Sequence, residues 1–351
     1  MVSHDEMMRS VWTSVRLFWA VIVALVAAVG HRLRHGPLVP GWSWGLELRR
    51  ATLHGLLDSA VEIGRPERWA DLRLETPIPR SLRGVIDLEE DSINGIPGEW
   101  LRVAPYATRR TVILYIHGGG FVVGSPGMER PFIAHVAAAA RADAFSVDYR
   151  LSPRYRFPAA LVDVTKTYIG LLERGVEPDR IFVAGDSAGG NLAAALLVRL
   201  RDEGLPLPAG GLLFSAWLDL AATGSTIETN AATDYLPIRD AGPAEHYLSG
   251  ADPTDPWVSP LYADLSGLPP MLIAAGGREL ILDDSTRFAE RAWEAGVEAT
   301  LYVEEDMFHA WASVVPGHPA SRRTFMIVAD WIESHRCRPH DDVTAGSLTG
   351  D

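Results

Sequence analysis

A serine between two glycines lies at the centre of the stretch best suited to chemistry, residues 185–189 (Gly-Asp-Ser-Ala-Gly). The apolar run at 181–184 predicts a buried parallel strand, and the Ala- and Leu-rich run at 191–201 predicts a helix. A Gly-x-Ser-x-Gly turn between a strand and a helix is typical of a nucleophilic serine, because small residues let the two elements pass closely. We therefore predict that Ser187 is a nucleophile.

A run of glycines forms a second candidate site at residues 117–120 (His-Gly-Gly-Gly), directly after a β-branched run at 111–116 that predicts another buried strand. Glycines let backbone N–H groups face a ligand with no Cβ in the way. Acyl transfer needs such donors at the developing oxyanion, where each contributes about 10²–10³-fold in rate. We predict an oxyanion hole formed by the N–H groups of Gly118, Gly119 and Ala188.

A nucleophilic serine needs a base that is itself oriented by an acid. Where the serine lies in a Gly-x-Ser-x-Gly turn between a strand and a helix, the acid and then the histidine follow it in sequence. The apolar run at 270–275 predicts a further core strand. Three candidate carboxylates follow it, those of Glu279, Asp283 and Asp284. Asp283 and Asp284 also suit the start of a helix, where the helix dipole favours negative charge. His309 follows the last predicted strand, at 298–303, and is the expected base.

Four motifs occur in order along the chain, at residues 117–120, 149–153 (Tyr-Arg-Leu-Ser-Pro), 185–190 and 255–270. Together they resemble the bacterial hormone-sensitive-lipase family of α/β-hydrolase esterases, over roughly residues 80–335. The resemblance implies hydrolysis of carboxylic esters by a Ser-His-acid triad beneath a cap, with no cofactor and no metal.

The resemblance also bears on the acid of the triad. The family has Asp-x-Leu-x-Asp after the strand, and its first Asp is the triad acid. Glu279 falls on that position and Asp283 on the second, so Glu279 is the expected acid, with Asp283 as the alternative. The resemblance further implies that His117, Tyr149 and Asp186 support the site from nearby.

Strands and helices alternate along the predicted order, which indicates an α/β protein with a mostly parallel, doubly wound sheet and helices on both faces. The resemblance implies the α/β-hydrolase fold with a helical cap. The expected segments are an apolar N-terminal helix at 1–35, an N-terminal cap segment at 36–80, a hydrolase domain at 81–335 with a cap insertion at about 216–262, and a disordered tail at 336–351.

Composition excludes some classes of partner and site. The net charge is −13, whereas a nucleic-acid-binding surface would be basic. A single cysteine, Cys337, excludes an internal disulfide framework and a multi-cysteine metal site. The expected partner is a small-molecule ester, and the resemblance suggests a homodimer.

The N-terminal apolar run at 17–29 has no polar side chain and no polar stripe, unlike a surface helix of a soluble domain. Three interpretations remain open: a membrane-embedded or interfacial anchor, a buried helix of the cap, and a cleaved signal peptide. The first predicts membrane contact through residues 11–30 and a membrane-associated enzyme; the second predicts a cytoplasmic one.

A triad and a fold do not fix a substrate. We expect short- to medium-chain carboxylic esters. Amide, carbamate or acyl-transfer chemistry on the same triad is the alternative, and a non-catalytic binding module with a hydrolase fold is a third. Haloalkane dehalogenation is disfavoured, because it needs a carboxylate where Ser187 stands.

Overall fold

The computed structural model describes residues 4–63, 69–104, 111–237 and 242–336, so the predicted disordered tail lies almost wholly outside the described residues. One sheet has the strand order β1-β2-β4-β3-β5-β6-β7-β8. Its strands are β1 (Ile86–Ile93), β2 (Ile96–Val103), β3 (Val112–Ile116), β4 (Asp143–Val147), β5 (Ile181–Asp186), β6 (Gly210–Phe214), β7 (Met271–Gly276) and β8 (Ala299–Glu304). β1 and β2 form an antiparallel hairpin, β2 also pairs with β4 in antiparallel fashion, and all other neighbours are parallel.

Helices cover both faces of this sheet, as predicted. The helices are α1 (His4–His35), α2 (Trp44–Ile63), α3 (Pro126–Ala140), α4 (Ala159–Glu173), α5 (Ala188–Asp202), α6 (Thr226–Thr229), α7 (Gly242–Leu248), α8 (Leu282–Glu294), α9 (Trp311–Val314) and α10 (Pro319–His335). One hydrophobic core joins α4, α5 and α8 to the sheet, and a second joins α3 and α10 to the opposite face. Strands β3, β5, β6 and β7 are buried throughout, which is why they read as continuous apolar runs.

The N-terminal helices form a cap that is fastened to the sheet's loops through α2 and the residues before it. Trp42 donates its indole N–H to the carbonyl of Asp306 at 2.5 Å, and Arg50 donates to the carbonyl of Asp234 at 2.9 Å. Helices α6 and α7 lie in the predicted cap insertion. The division of the chain into segments stays a prediction.

Helix α1 lies on the surface of the cap. Its segment Val15–His35 is long and apolar enough to cross a membrane, and none of that apolar window is buried. This exposure contradicts the interpretation of the N-terminal run as a buried cap helix. Packing of α1 onto α2 covers only one side of the helix.

The turn after β5 depends on close contact between glycine and backbone. A Cβ on Gly189 would lie 2.0 Å from the carbonyl oxygen of Ile116. We expect Gly189→Ala to lower the free energy of unfolding by roughly 1–3 kcal/mol, because α5 would have to move away from β3. Urea denaturation followed by circular dichroism measures the change. Gly317→Ala is the control, since its Cβ would meet no atom within 4 Å; equal loss in both variants would contradict the argument.

Candidate active site

Ser187 occupies a strained turn between β5 and α5, with φ 53° and ψ −120°. Such a conformation costs about 1–3 kcal/mol in a residue other than glycine and persists only where surrounding structure holds it. Here the Ser187 N–H donates to the carbonyl of Phe214 at 2.9 Å, and its carbonyl accepts from the N–H of Trp217 at 3.0 Å. The turn lifts the serine side chain out of the strand and leaves it partly exposed.

The parallel strands bring the predicted residues to one edge of the sheet. Ile116 at the end of β3 pairs with Gly185, and Gly276 at the end of β7 pairs with Glu304 of β8. The glycine run, Ser187, Glu279 and His309 each follow one of these four strand ends. Residues separated by nearly 200 positions in sequence therefore share one edge, where loops of a parallel sheet carry functional groups.

His309 and Glu279 form a buried pair. The imidazole Nδ1 lies 3.5 Å from Glu279 Oε2, and the two side chains are 2% and 0% exposed. This is an ion-pair separation, longer than an ordinary hydrogen bond of about 2.7–3.2 Å, and catalytic contacts commonly tighten when substrate binds. Burial alone would lower the pKa of His309, but the carboxylates of Glu279, Asp234 and Asp186 outweigh it and raise the pKa.

Asp283 and Asp284 face other groups. Asp283 Oδ2 accepts from the N–H and hydroxyl of Ser225, at 2.6 and 2.8 Å. Asp284 Oδ2 accepts from the N–H groups of Leu218 and Asp219, at 2.8 and 2.9 Å. Both carboxylates lie in the first turn of α8, as the helix-start interpretation predicts, and both hold the segment that follows β6. The structure thus pairs His309 with Glu279, whereas Asp283 holds Ser225 in the predicted cap insertion.

The hydrogen bonds of the glycine run argue against one of the predicted oxyanion donors, the N–H of Gly118. The N–H of Gly118 donates to Asp186 Oδ1 at 2.9 Å, and the same oxygen accepts from the Tyr115 hydroxyl at 2.6 Å. Because that N–H is already bonded to a carboxylate, Gly118 is not free to receive a substrate oxyanion. The N–H groups of Gly119 and Gly120 have no hydrogen-bond acceptor within the described ranges, and Ala188 begins α5 with its N–H outside the helical ladder.

His117 and Tyr149 brace the glycine run. Their rings stack with centroids 4.3 Å apart, and the Tyr149 hydroxyl donates to the carbonyl of His117 at 2.9 Å. Burial lowers the pKa of His117 to about 4, so this imidazole is neutral at pH 7. Its Nδ1 lies 2.8 Å from the carbonyl oxygen of Gly118, so Nδ1 carries the proton. These contacts fix the path of the backbone, and a supporting role of His117 and Tyr149 in catalysis stays a prediction.

Asp234 is a buried carboxylate that sequence reasoning missed. Its Oδ2 accepts from the N–H of Leu280 at 2.6 Å, and its Oδ1 accepts from the N–H groups of Tyr235 and His309 at 2.7 and 3.3 Å. One carboxylate therefore joins the loop that carries Glu279 to the loop that carries His309. Burial, and then the charge of Glu279, raise the pKa of Asp234 to about 6. No motif surrounds Asp234, so the sequence alone holds no signal for this role.

Comparison with known proteins gives consistent similarities. A family model described as alpha/beta hydrolase fold matches residues 113–313. An acetyl-hydrolase from Streptomyces hygroscopicus is 39% identical over 240 residues, which cover 67% of this chain and 79% of that protein. Carboxylesterase NlhH from Mycobacterium tuberculosis is 36% identical over 286 residues, covering 78% of this chain and 85% of that protein.

Solved structures give the same result. An esterase from the bacterial hormone-sensitive lipase family superimposes with a TM-score of 0.71 at 36% identity, covering 90% of this chain and 98% of that one. The range matched by the family model contains Ser187, Glu279 and His309.

Asp234 provides a test of the loop geometry. We expect Asp234→Asn to lower kcat roughly 10- to 100-fold with little change in KM, because the amide cannot accept all three N–H groups and the two loops shift. Loss of the charge also lowers the pKa of His309, so the acid limb of the pH–rate profile moves to lower pH.

Steady-state rates on a soluble ester across pH measure both effects. Asp252→Asn is the matched control. Like Asp234, Asp252 accepts a backbone N–H, here from Thr254, whose hydroxyl it also accepts, but its side chain is exposed and does not contact His309. If the acid limb of the pH–rate profile does not shift in Asp234→Asn, the charge of Asp234 does not act on His309, and Asp234 serves only to hold the fold.

Proposed function

Because the chain belongs to the α/β-hydrolase family of bacterial hormone-sensitive-lipase esterases, we propose that Ser187, His309 and Glu279 are the catalytic triad of this carboxylic ester hydrolase. The predicted family, fold class and reaction class are confirmed by these similarities. The assignment of roles to residues is the proposal, and the observation that supports it most is the buried His309–Glu279 pair at the sheet edge that also carries Ser187.

In the proposed reaction, Ser187 Oγ attacks the ester carbonyl carbon and His309 Nε2 takes the serine proton. The tetrahedral intermediate collapses to an acyl-enzyme as His309 gives that proton to the departing alcohol. Water then attacks the acyl-enzyme, His309 takes a proton from the water and returns it to Ser187, and the carboxylic acid leaves. Glu279 holds the imidazole with Nδ1 protonated and stabilises the imidazolium.

The oxyanion formed in each step carries a full negative charge. We assign its donors as the N–H groups of Gly119, Gly120 and Ala188, so that Gly120 replaces the predicted Gly118. Asp186 contributes indirectly, because its bond to the Gly118 N–H fixes the loop that presents the next two donors. A preformed donor set needs no reorganisation as the charge develops, which is why it lowers the barrier.

The substrate is proposed at the level of class. The chain acts on ester substrates, as its esterase relatives do. We propose short- to medium-chain acyl groups, supported by the name acetyl-hydrolase of one relative. Amide or carbamate chemistry on the same triad remains the alternative, and homodimerisation stays a prediction.

Removal of the nucleophile tests the assignment. We expect Ser187→Ala to lower hydrolysis of p-nitrophenyl esters by at least roughly 10³-fold, because no other group can form the acyl-enzyme. Initial rates on a ladder from acetate to palmitate, with circular dichroism to confirm folding, measure the effect and the acyl preference. Turnover in folded Ser187→Ala would refute the assignment, and a wild-type preference for palmitate would refute the proposed chain length.

The acid is tested by two matched amides. We expect Glu279→Gln to lower the rate on the order of 10³–10⁴-fold, because the imidazolium loses its partner and the tautomer its orientation. The remaining activity should extend to lower pH: His309 must be neutral to act, and the Glu279 charge is what raises its pKa. Asp283→Asn keeps an acceptor for Ser225 and should stay close to wild type. The opposite ranking of the two variants would move the acid to Asp283.

A further inference from the structure

Helix α1 presents a continuous apolar stripe to solvent. We define the α1 stripe by its exposed large side chains, whose exposed fractions run from 38% to 74%: Val15, Phe18, Trp19, Val23, Val26 and Leu33. With 3.6 residues per turn, these positions fall within an arc of roughly 140°, so they share one side of the helix. Together they expose on the order of 600 Å² of mostly apolar surface, at the upper end for one patch on a monomer.

The side of α1 away from this stripe is fixed to α2. The two helices approach so closely at Gly55 that a Cβ there would lie 2.9 Å from the carbonyl of Ala20 and 3.0 Å from Ala24 Cβ. Arg32 forms an ion pair with Glu47, whose side chain is 3% exposed, and donates to the carbonyl of Trp42 at 2.9 Å.

This attachment argues that α1 stays in the mature enzyme. Cleavage after the apolar run, as of a signal peptide, would remove Ala20 and Ala24 from their close contact with Gly55 and would uncover the side of α2 that α1 covers. The α1 stripe is therefore a permanent surface of the cap.

Charge beside the α1 stripe has the opposite sign to the chain as a whole. Arg16 and Arg34 are both exposed, and their separation of 18 residues places them on the same side of the helix, next to the apolar side chains. The whole chain carries a net charge of −13. An apolar strip bordered by arginines complements a lipid surface, where acyl chains lie beneath phosphate groups.

We propose that the α1 stripe docks on a lipid bilayer, with α1 lying in the plane of the interface. A mean hydropathy of 1.6 over Val15–His35 suits lipid. The stripe is smaller than the ~800 Å² per partner that a stable dimer buries. An orientation across the bilayer is disfavoured, because α1 packs on α2, and Arg50 of α2 is hydrogen bonded to the loop of Asp234. Phe18 and Trp19 suit the headgroup boundary, where aromatic side chains concentrate.

Docking goes beyond ester hydrolysis and does not depend on the triad. The experiment is flotation of the full-length wild-type enzyme with vesicles of phosphatidylcholine, alone or mixed with phosphatidylglycerol. We expect the enzyme to float with both vesicles, and more completely with the anionic mixture. The triple variant Phe18→Glu, Val23→Glu, Val26→Glu should lose roughly tenfold in the bound fraction, because it places three charges in the apolar layer.

Met326→Glu is the matched control, since Met326 is 66% exposed on α10, outside the α1 stripe. It should float as wild type does. Hydrolysis of a water-soluble ester should be unchanged in every variant, which checks folding separately from docking. Should the triple variant fail to fold, Arg16→Gln with Arg34→Gln provides a second test: it should reduce flotation with anionic vesicles and spare neutral ones.

Three results would overturn the proposal. The wild type could remain unbound with both vesicles. The triple variant could float as well as the wild type. The wild type could form a concentration-dependent dimer that the triple variant abolishes, with no vesicle binding, which would make a second copy of the chain the occupant of the stripe. Size-exclusion chromatography at several concentrations distinguishes the last result.

Discussion

The backbone at Ser187 is the constraint on which the site depends. A φ of 53° and a ψ of −120° are unfavourable for serine, and the turn persists because neighbouring backbone leaves it no alternative. Gly189 lies so close to the carbonyl of Ile116 that α5, β5 and β3 form one tightly packed unit. The same closeness brings Asp186 within reach of the Gly118 N–H, so the proposed nucleophile and the proposed oxyanion loop are fixed by a single set of contacts.

Buried carboxylates supply the electrostatics around this turn. Glu279, Asp234 and Asp186 all act on His309, and each is almost fully buried. Burial opposes ionisation, and it raises the pKa of both Asp186 and Asp234. Hydrogen bonds from backbone N–H groups offset part of this cost, since an N–H dipole stabilises a nearby anion. These carboxylates surround His309, the proposed general base, whose imidazolium they would stabilise in the proposed reaction.

The sequence is sufficient to predict those helices and strands whose apolar pattern is local and periodic. The strand and helix around Ser187 form a short apolar run and an Ala-rich run, and both were predictable within a few residues because burial on both faces leaves such patterns. The free N–H groups of the glycine run were not predictable, because Gly118 differs from Gly119 only through its contact with Asp186. Asp234 contacts His309 from 75 positions away in sequence, so only tertiary structure reveals it.

Contacts of the cap connect the exposed helix α1 to the loop that carries His309. Trp42 donates to Asp306, three residues before His309, and its ring packs edge-on against Phe308 with centroids 5.7 Å apart. Arg50 holds the carbonyl of Asp234, whose carboxylate in turn holds the His309 N–H. Trp42, just before α2, and Arg50 of α2 therefore connect this part of the cap to the backbone of His309, the proposed general base, through two short paths. Because α1 is packed on α2, a surface that engages α1 engages the same chain of contacts. Helix α1 is far from His309 in sequence, yet three successive contacts connect the two: Gly55 packs on α1, Arg50 bonds to Asp234, and Asp234 bonds to His309.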